Sequence, residues 1–410
     1  MCSTENHHHK KFSKTPLIYF IMIILGVSFG LSDISYLQNF GVFISDIFIK
    51  LFKFISLPII ALSLIVTLAN YKTEFSAQKI WQRTLLYTLS TTIIAATVSC
   101  ILYLVIKPSN IQNIATKEFI TKNSETSYLN HVLNIIPSSI FSPFIEHQVM
   151  AVLLLGIGIG IGIAIRLIPE ANSKQTILHL FQGLHGIFLI ITQWIIKIIP
   201  LGLFGFITVT AMELKNGMEF KGIGEYIAVV VLANLFQGFV ILPLWLKMNG
   251  IKPYKTMKGM LPALSLAFFT KSSAGTLPVT IETAEKNINI NPKISRFVLP
   301  LCTSINMNGC AAFIFATVIF LMQNHGIEIS LSTMVLWIFI STIAAVGNAG
   351  VPMGCFFLSA SLLASMNVPI VLLGIILPFY SIIDMIETSL NVWSDSCVAK
   401  VVDKKTEFPV

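Results

Sequence analysis

The chain alternates long apolar runs with short polar gaps. A spanning helix takes about 20 mostly apolar residues. Runs of that kind fall near residues 16–33, 41–70, 83–106, 146–168, 178–213, 224–248, 295–323 and 368–400, which predicts eight membrane-crossing helices. Two further apolar segments, near 257–287 and 328–366, are interrupted by the clusters KSSAGTLPVT and GNAGVPMGC. Each predicts a helical hairpin that enters the membrane and turns back, the alternative being a kinked but complete span. Backbone freed by such a break finds no water in hydrocarbon, so it is tolerated only inside protein or beside a wet cavity. Broken helices therefore point toward a site.

Composition agrees with this pattern. Of 410 residues 55% are hydrophobic and only 11% charged, too few polar groups to cover a water-soluble core. The net charge of +8 does not mark a nucleic-acid surface, because the Lys and Arg residues sit in the gaps between apolar runs. Lys10, Lys11 and Lys14 precede the first run, and Lys72, Lys79 and Arg83 follow the second. Lys247, Lys252, Lys255 and Lys258 follow the sixth, and Lys404 and Lys405 end the last. With alternating spans these groups share the cytoplasmic side, which predicts a multi-pass protein of the inner or plasma membrane with both termini cytoplasmic. The polar connection near 107–145 then lies outside, with Lys107, Lys117, Glu118 and Glu125 and no evident active-site chemistry.

Several local features have bland readings. The opening stretch, a basic flank before an apolar run, reads as an uncleaved first span rather than a signal peptide, since a signal core is about 7–15 residues. His7 to His9 read as a solvated tail. GIGIGIG at Gly156 to Gly162 has neither a preceding strand nor a following Lys-Ser/Thr, so it predicts close helix packing rather than a nucleotide loop. The six cysteines show no CxxC or Cys/His metal spacing and read as small apolar residues without a disulfide framework.

Candidate chemistry concentrates in the last run, YSIIDMIETSLNVWSDS. At helical spacing Asp384, Glu387, Thr388, Asn391 and Asp395 share one face. An ionised side chain at mid-bilayer costs about 2.5–3.5 kcal/mol on insertion scales, so this face must meet protein, water or ligand. An amphipathic helix lying on the surface is the alternative. A second polar cluster, CTSINMNGCAAF, interrupts the seventh run. Ser304, Asn306, Asn308 and Gly309 there predict an unwound segment offering oxygen ligands, which suits a hard cation such as sodium better than zinc or iron.

Two broken hairpins, an NMNG span and a final helix with D-x-x-x-T-x-x-N-x-x-x-D occur in this order. Together they resemble the dicarboxylate/amino acid:cation symporter family, which includes the glutamate transporters, and the likeness covers nearly the whole chain. The resemblance implies an all-α polytopic fold of eight transmembrane helices plus two re-entrant hairpins, with inverted repeats and an elevator mechanism, assembled as a homotrimer. Residues 1–410 would form one transporter unit. Its scaffold would come from about 16–70 and 146–213 and its transport domain from about 83–106 and 224–402, with the second hairpin as gate.

The resemblance also implies site residues. Ser273, Cys310, Val351, Asp384, Glu387, Thr388 and Asn391 would surround the substrate, Asp384 holding its amino group through a charge-assisted hydrogen bond. Coupling cations, sodium or protons, would use Asn306, Asn391 and Asp395 at one site. A second would take Ser304 and Met307 with backbone groups at Ala345, Val346 and Asn348, and a third Tyr87, Ser90, Thr91, Asn306 and Asn308. No cofactor beyond the coupling ions is expected.

The chain departs from the family pattern where specificity and coupling are set. Glu387 stands where acidic-substrate members have Arg, Asn308 where sodium-coupled members have Asp in NMDG, Tyr380 where another Asp often precedes Asp384, and Lys271 where prokaryotic members commonly have Arg. Two like charges about 4 Å apart repel by several kcal/mol at an effective dielectric near 20, so Glu387 disfavours glutamate and aspartate. The leading expectation is a symporter for a basic amino acid. The alternatives are a neutral amino acid, with Glu387 protonated or hydrogen-bonded, or a dicarboxylate within the same family. An intramembrane aspartyl protease would need aspartates on facing helices, and both lie on one helix here. A plain ion channel has no use for a hairpin gate beside an amino-group carboxylate. The chain is therefore not expected to be an enzyme.

Overall fold

In hydrocarbon an isolated segment satisfies its backbone only as a helix, and every regular element described in the computed structural model is helical. The structure describes residues 15–69, 75–111, 137, 139–145, 149–164, 171–215, 221–346, 348, 353–366, 368 and 371–406. The elements are α1 (Thr15–Leu31), α2 (Ser35–Ala69), α3 (Phe75–Ile106), α4 (Val149–Ala164), α5 (Ala171–Lys215), α6 (Lys221–Phe236), a π-helical insert (Gln237–Ile241) and α7 (Leu242–Met248). They continue as α8 (Pro253–Thr270), α9 (Ser273–Asn287), α10 (Pro292–Ile305), α11 (Asn308–Asn324), α12 (Leu331–Val346), α13 (Gly354–Ser365) and α14 (Val371–Lys405). A single turn at Ser142–Ile145 precedes α4.

Every apolar segment of the sequence carries helix, and the interruptions fall where the polar clusters lie. Lys271, left-handed at φ 54°, ends α8. Ser272 then caps α9 by accepting a hydrogen bond from the Gly275 amide at 3.0 Å. Asn306 and Met307 leave helical geometry between α10 and α11. Met353, at φ 61°, precedes α13. Among the described residues Lys79–Ile106, Asn172–Met212, Gly222–Met248, Pro292–Asn324 and Leu373–Lys405 are long and apolar enough to cross a membrane. The helix covering 178–213 is longer than its apolar run: the 45 residues of α5 correspond to about 68 Å at 1.5 Å per residue, well beyond one bilayer core.

α1, α2, α4 and α5 pack on one another, and α8, α9, α10 and α14 form a second group with its own apolar core. α11 is the central rod, buried at every residue from Asn308 to Met322 and touching α3, α6, α12, α13 and α14. The first group meets the rest through α2 against α13 and α5 against α14. There the ring of Phe52 lies 5.5 Å from that of Phe356, 5.1 Å from Phe357 and 6.1 Å from Phe206. Lys215 pairs with Asp33 in the α1–α2 turn and holds that carboxyl below its usual range.

Of the GIGIGIG run, Gly158 and Gly162 have open space where a β-carbon would stand, while Gly156 and Gly160 are buried in a helix that packs on α2. At Gly30 a β-carbon would stand 2.4 Å from the Thr208 carbonyl oxygen, so α1 and α5 touch backbone to backbone.

Candidate functional site

The polar face of α14 is turned into the protein. Asp384, Glu387, Thr388, Asn391 and Asp395 are all buried, which removes the reading of a helix lying on a membrane surface. α11 is pressed against this face because position 309 is Gly: a β-carbon there would lie 2.8 Å from the Glu387 Cα. The close approach lets the Gly309 amide donate to the Asn391 side-chain oxygen at 2.8 Å, which meets the first-turn donor of α11.

One half of the site is a small cavity of about 10 Å³. It is lined by Lys271, Ser273, Met307, Cys310, Asn348, Cys355, Asp384, Glu387, Thr388 and Asn391. Six of the seven predicted substrate residues are therefore brought together across α9, α11 and α14; the seventh, Val351, lies outside the described residues. The Met353 amide donates to the Asp384 carboxylate at 3.3 Å. The Tyr380 hydroxyl donates to Oε2 of Glu387 at 3.3 Å, and Oε1 of Glu387 is buried with no hydrogen-bond partner. Lys271, on the cavity wall, acts by its charge on Asp384 and donates from its ammonium to the Ser381 hydroxyl at 3.1 Å.

Cys310 and Cys355 form a disulfide in this wall, which corrects the expectation that the cysteines serve only as small apolar residues. The two are 45 positions apart in different helices and carry no spacing motif; Cys100, Cys302 and Cys397 are free and buried. Both disulfide sulfurs and a Glu387 oxygen lie within 4.8 Å of one another. Disulfide sulfur is no thiolate, however, so this cluster is not a metal site as it stands.

The other half is a continuous hydrogen-bond network. Thr91 donates to the Asn306 side-chain oxygen at 3.1 Å, and Asn306 donates to Ser394 and Asp395, each at 2.9 Å. Asn308 donates to Asn306 at 3.0 Å and to Ser394, while the Gln237 amide donates to the Asn308 oxygen and to the Thr91 carbonyl at 3.1 Å each. Side-chain oxygens dominate, which fits a hard cation. Of the third predicted cation set, Thr91, Asn306 and Asn308 meet here. The Tyr87 phenol instead accepts from Lys405 at 3.1 Å, and the exposed Ser90 hydroxyl turns back to the Leu86 carbonyl. Of the first set, Asn306 and Asp395 are bonded directly, and Asn391 reaches the network's edge through Gly309. Of the second, Asn348 approaches Met307 at 3.9 Å and its amide bonds Ala345, beside Val346, whereas Ser304 sits half-buried near the end of α10.

Sequence reading missed Gln237, Ser394 and Cys355. A Gln inside an apolar run was the available signal for the first, and the flank of Asp395 for the second.

A buried polar site deep in a bundle of apolar helices, walled by interrupted helices, is the architecture of a membrane carrier. The chain belongs to the sodium:dicarboxylate symporter family, which it matches over residues 17–405. Its relatives include the proton/sodium-glutamate symport protein of Geobacillus stearothermophilus, 28% identical over 401 residues that cover 94% of this chain and 93% of the relative. Human excitatory amino acid transporter 3 is 26% identical over 93% of this chain and 83% of its own length. Human neutral amino acid transporter A is 27% identical over 69% and 52%. The family is one of transporters, not enzymes.

Proposed function

We propose that the protein is a cation-coupled amino acid symporter whose preferred substrate carries a basic side chain. The observation that carries this reading is Glu387: a buried carboxylate on the same cavity as Asp384, with one oxygen unpartnered and no protein cation paired to it among the described residues. Lys271, the nearest alternative partner by sequence reasoning, bonds Ser381 instead. An α-amino group would go to Asp384 and the substrate's side-chain ammonium or guanidinium to Glu387, which repels an acidic side chain. The network of Thr91, Asn306, Asn308 and Asp395 would take the coupling cation, sodium or a proton.

A neutral substrate is the second reading, supported by the Tyr380–Glu387 hydrogen bond, which shows that Glu387 also accepts a neutral partner. The names of the relatives span glutamate and neutral amino acids; a dicarboxylate is the reading Glu387 opposes most directly. The wider proposal is a plasma- or inner-membrane homotrimer with cytoplasmic termini, each subunit having eight spans and two re-entrant hairpins. Residues 83–106 and 224–402 would move as an elevator against 16–70 and 146–213.

The test is a thermal-shift and uptake screen of the purified protein against the common amino acids, with and without sodium and across pH. Lysine, arginine or ornithine should rank first, and binding should depend on sodium or pH. Glu387→Arg should move the preference to aspartate or glutamate, and Glu387→Gln to neutral substrates. Tight glutamate binding by the wild type, or an unchanged ranking in both variants, would overturn the cationic assignment.

A further inference from the structure

We infer that Cys310 and Cys355 form a redox-sensitive lock on the candidate substrate cavity, shutting it as a disulfide and freeing it as two thiols. The inference rests on reading that cavity as the amino acid site. In this structure the cavity measures about 10 Å³, room for no more than about one water. Its walls must part before an amino acid enters.

Both walls are enclosed: α11 is buried along its length with Gly309 in backbone contact with α14 at Glu387, and α13 is buried from Met353 to Leu363. What decides whether they part is the set of ties that cross the cavity between them. The Met353 amide reaches Asp384 at 3.3 Å, and Cys355, the second residue of the helix, is bound to Cys310 of α11. The Cα atoms of the pair are 5.3 Å apart, inside the window of about 4.4–6.8 Å that a disulfide spans without backbone movement. The Asn348 amide closes over the pair, donating to Cys310 Sγ at 2.8 Å and Cys355 Sγ at 3.4 Å, and its buried oxygen is unpartnered. A hydrogen bond breaks readily as walls separate and the covalent tie does not. The disulfide is therefore the covalent tie between α13 and α11 across the site.

The chemistry closes with a peroxide as oxidant. One thiolate attacks the peroxide oxygen, forming a sulfenic acid and expelling hydroxide, and the second thiolate displaces hydroxide from that sulfur, the two hydroxides taking up the protons that the thiols gave. In sum two thiols and one hydrogen peroxide give one disulfide and two waters. A dithiol reductant reverses the step by exchange.

The experiment compares wild type and Cys355→Ser in proteoliposomes, each treated with hydrogen peroxide or dithiothreitol, the linkage being mapped by mass spectrometry of alkylated peptides. Uptake of the best-ranked amino acid should fall at least about tenfold on oxidation of wild type, since only the open fraction binds. Cys355→Ser, which keeps Cys310, Cys100, Cys302 and Cys397, should give the same rate under both treatments. Hydrogen exchange across residues 354–365, which needs no substrate, should be faster in the reduced wild type. Faster exchange on reduction without uptake in either state would uphold the lock and defeat the amino acid reading. A mapped disulfide with unchanged uptake and exchange would overturn the lock, as would two thiols that stay unlinked after peroxide.

Discussion

Asp384 is the residue on which binding of any α-amino substrate should depend. It is buried, accepts a hydrogen bond from the Met353 amide and feels the charge of Lys271, and its carboxylate is the group a substrate ammonium would pair with. Removing one partner of a buried ion pair costs about 3–5 kcal/mol, or more than about a hundredfold in affinity. Asp384→Asn should therefore lose measurable binding by calorimetry while keeping a monodisperse gel-filtration profile; wild-type affinity in that variant would sink the role. The stripe containing Asp384 was legible because carboxylates in an apolar helix advertise themselves, and their spacing fixed a common face. Gln237 and Cys355 were not legible for the opposite reason. A single amide or thiol in an apolar run is common, and its meaning depends on which distant helix lies opposite, Asn308 for one and Cys310 for the other.

At the scale of elements, the breaks were legible and their surroundings only partly so. Gly, Pro and Ser clusters marked the turn at Lys271 and the cap at Met353, and NMNG marked the unwound joint between α10 and α11. The π-helical insert at Gln237–Ile241 was not, since its sequence, QGFVI, carries no breaker pattern that separates a π turn from an ordinary one. That insert begins at Gln237, whose amide meets Asn308 opposite α3, so the network proposed to hold the coupling ion is assembled by four elements that are remote in sequence. Asn308→Asp tests it. The new carboxylate keeps an acceptor for Gln237 but loses the donors to Asn306 and Ser394, leaving oxygens facing one another near Asp395. A bound hard cation relieves that repulsion. The variant should melt lower than wild type without sodium and gain more melting temperature per decade of added sodium. An equal sodium response in the two proteins would mean that the network holds no coupling ion.

At the scale of the molecule, the proposed elevator would move one group of helices relative to another, and the contact between α2 and α13 is where that motion would be felt. Phe52 is buried there among Phe356, Phe357 and Phe206. Aromatic faces of this kind have no directional bonds to break and can exchange neighbours as packed helices slide, the hallmark of shear motion. A division into scaffold and transport groups came only from family resemblance and stands as a proposal, because the partner of an apolar helix face is not encoded in its own hydrophobicity. A double variant, Phe52→Cys with Phe357→Cys, joined by a short bifunctional maleimide, separates the two things a carrier does. The cavity between α9, α11, α13 and α14 takes no wall from α2, so equilibrium binding of the amino acid should persist in the reduced protein, where α13 can part from α11. Uptake into proteoliposomes should stop, because the loaded group cannot shift against α2. Tethered protein that transports at the untethered rate would show that these helices stay in register throughout the cycle, and the moving boundary would have to be drawn elsewhere.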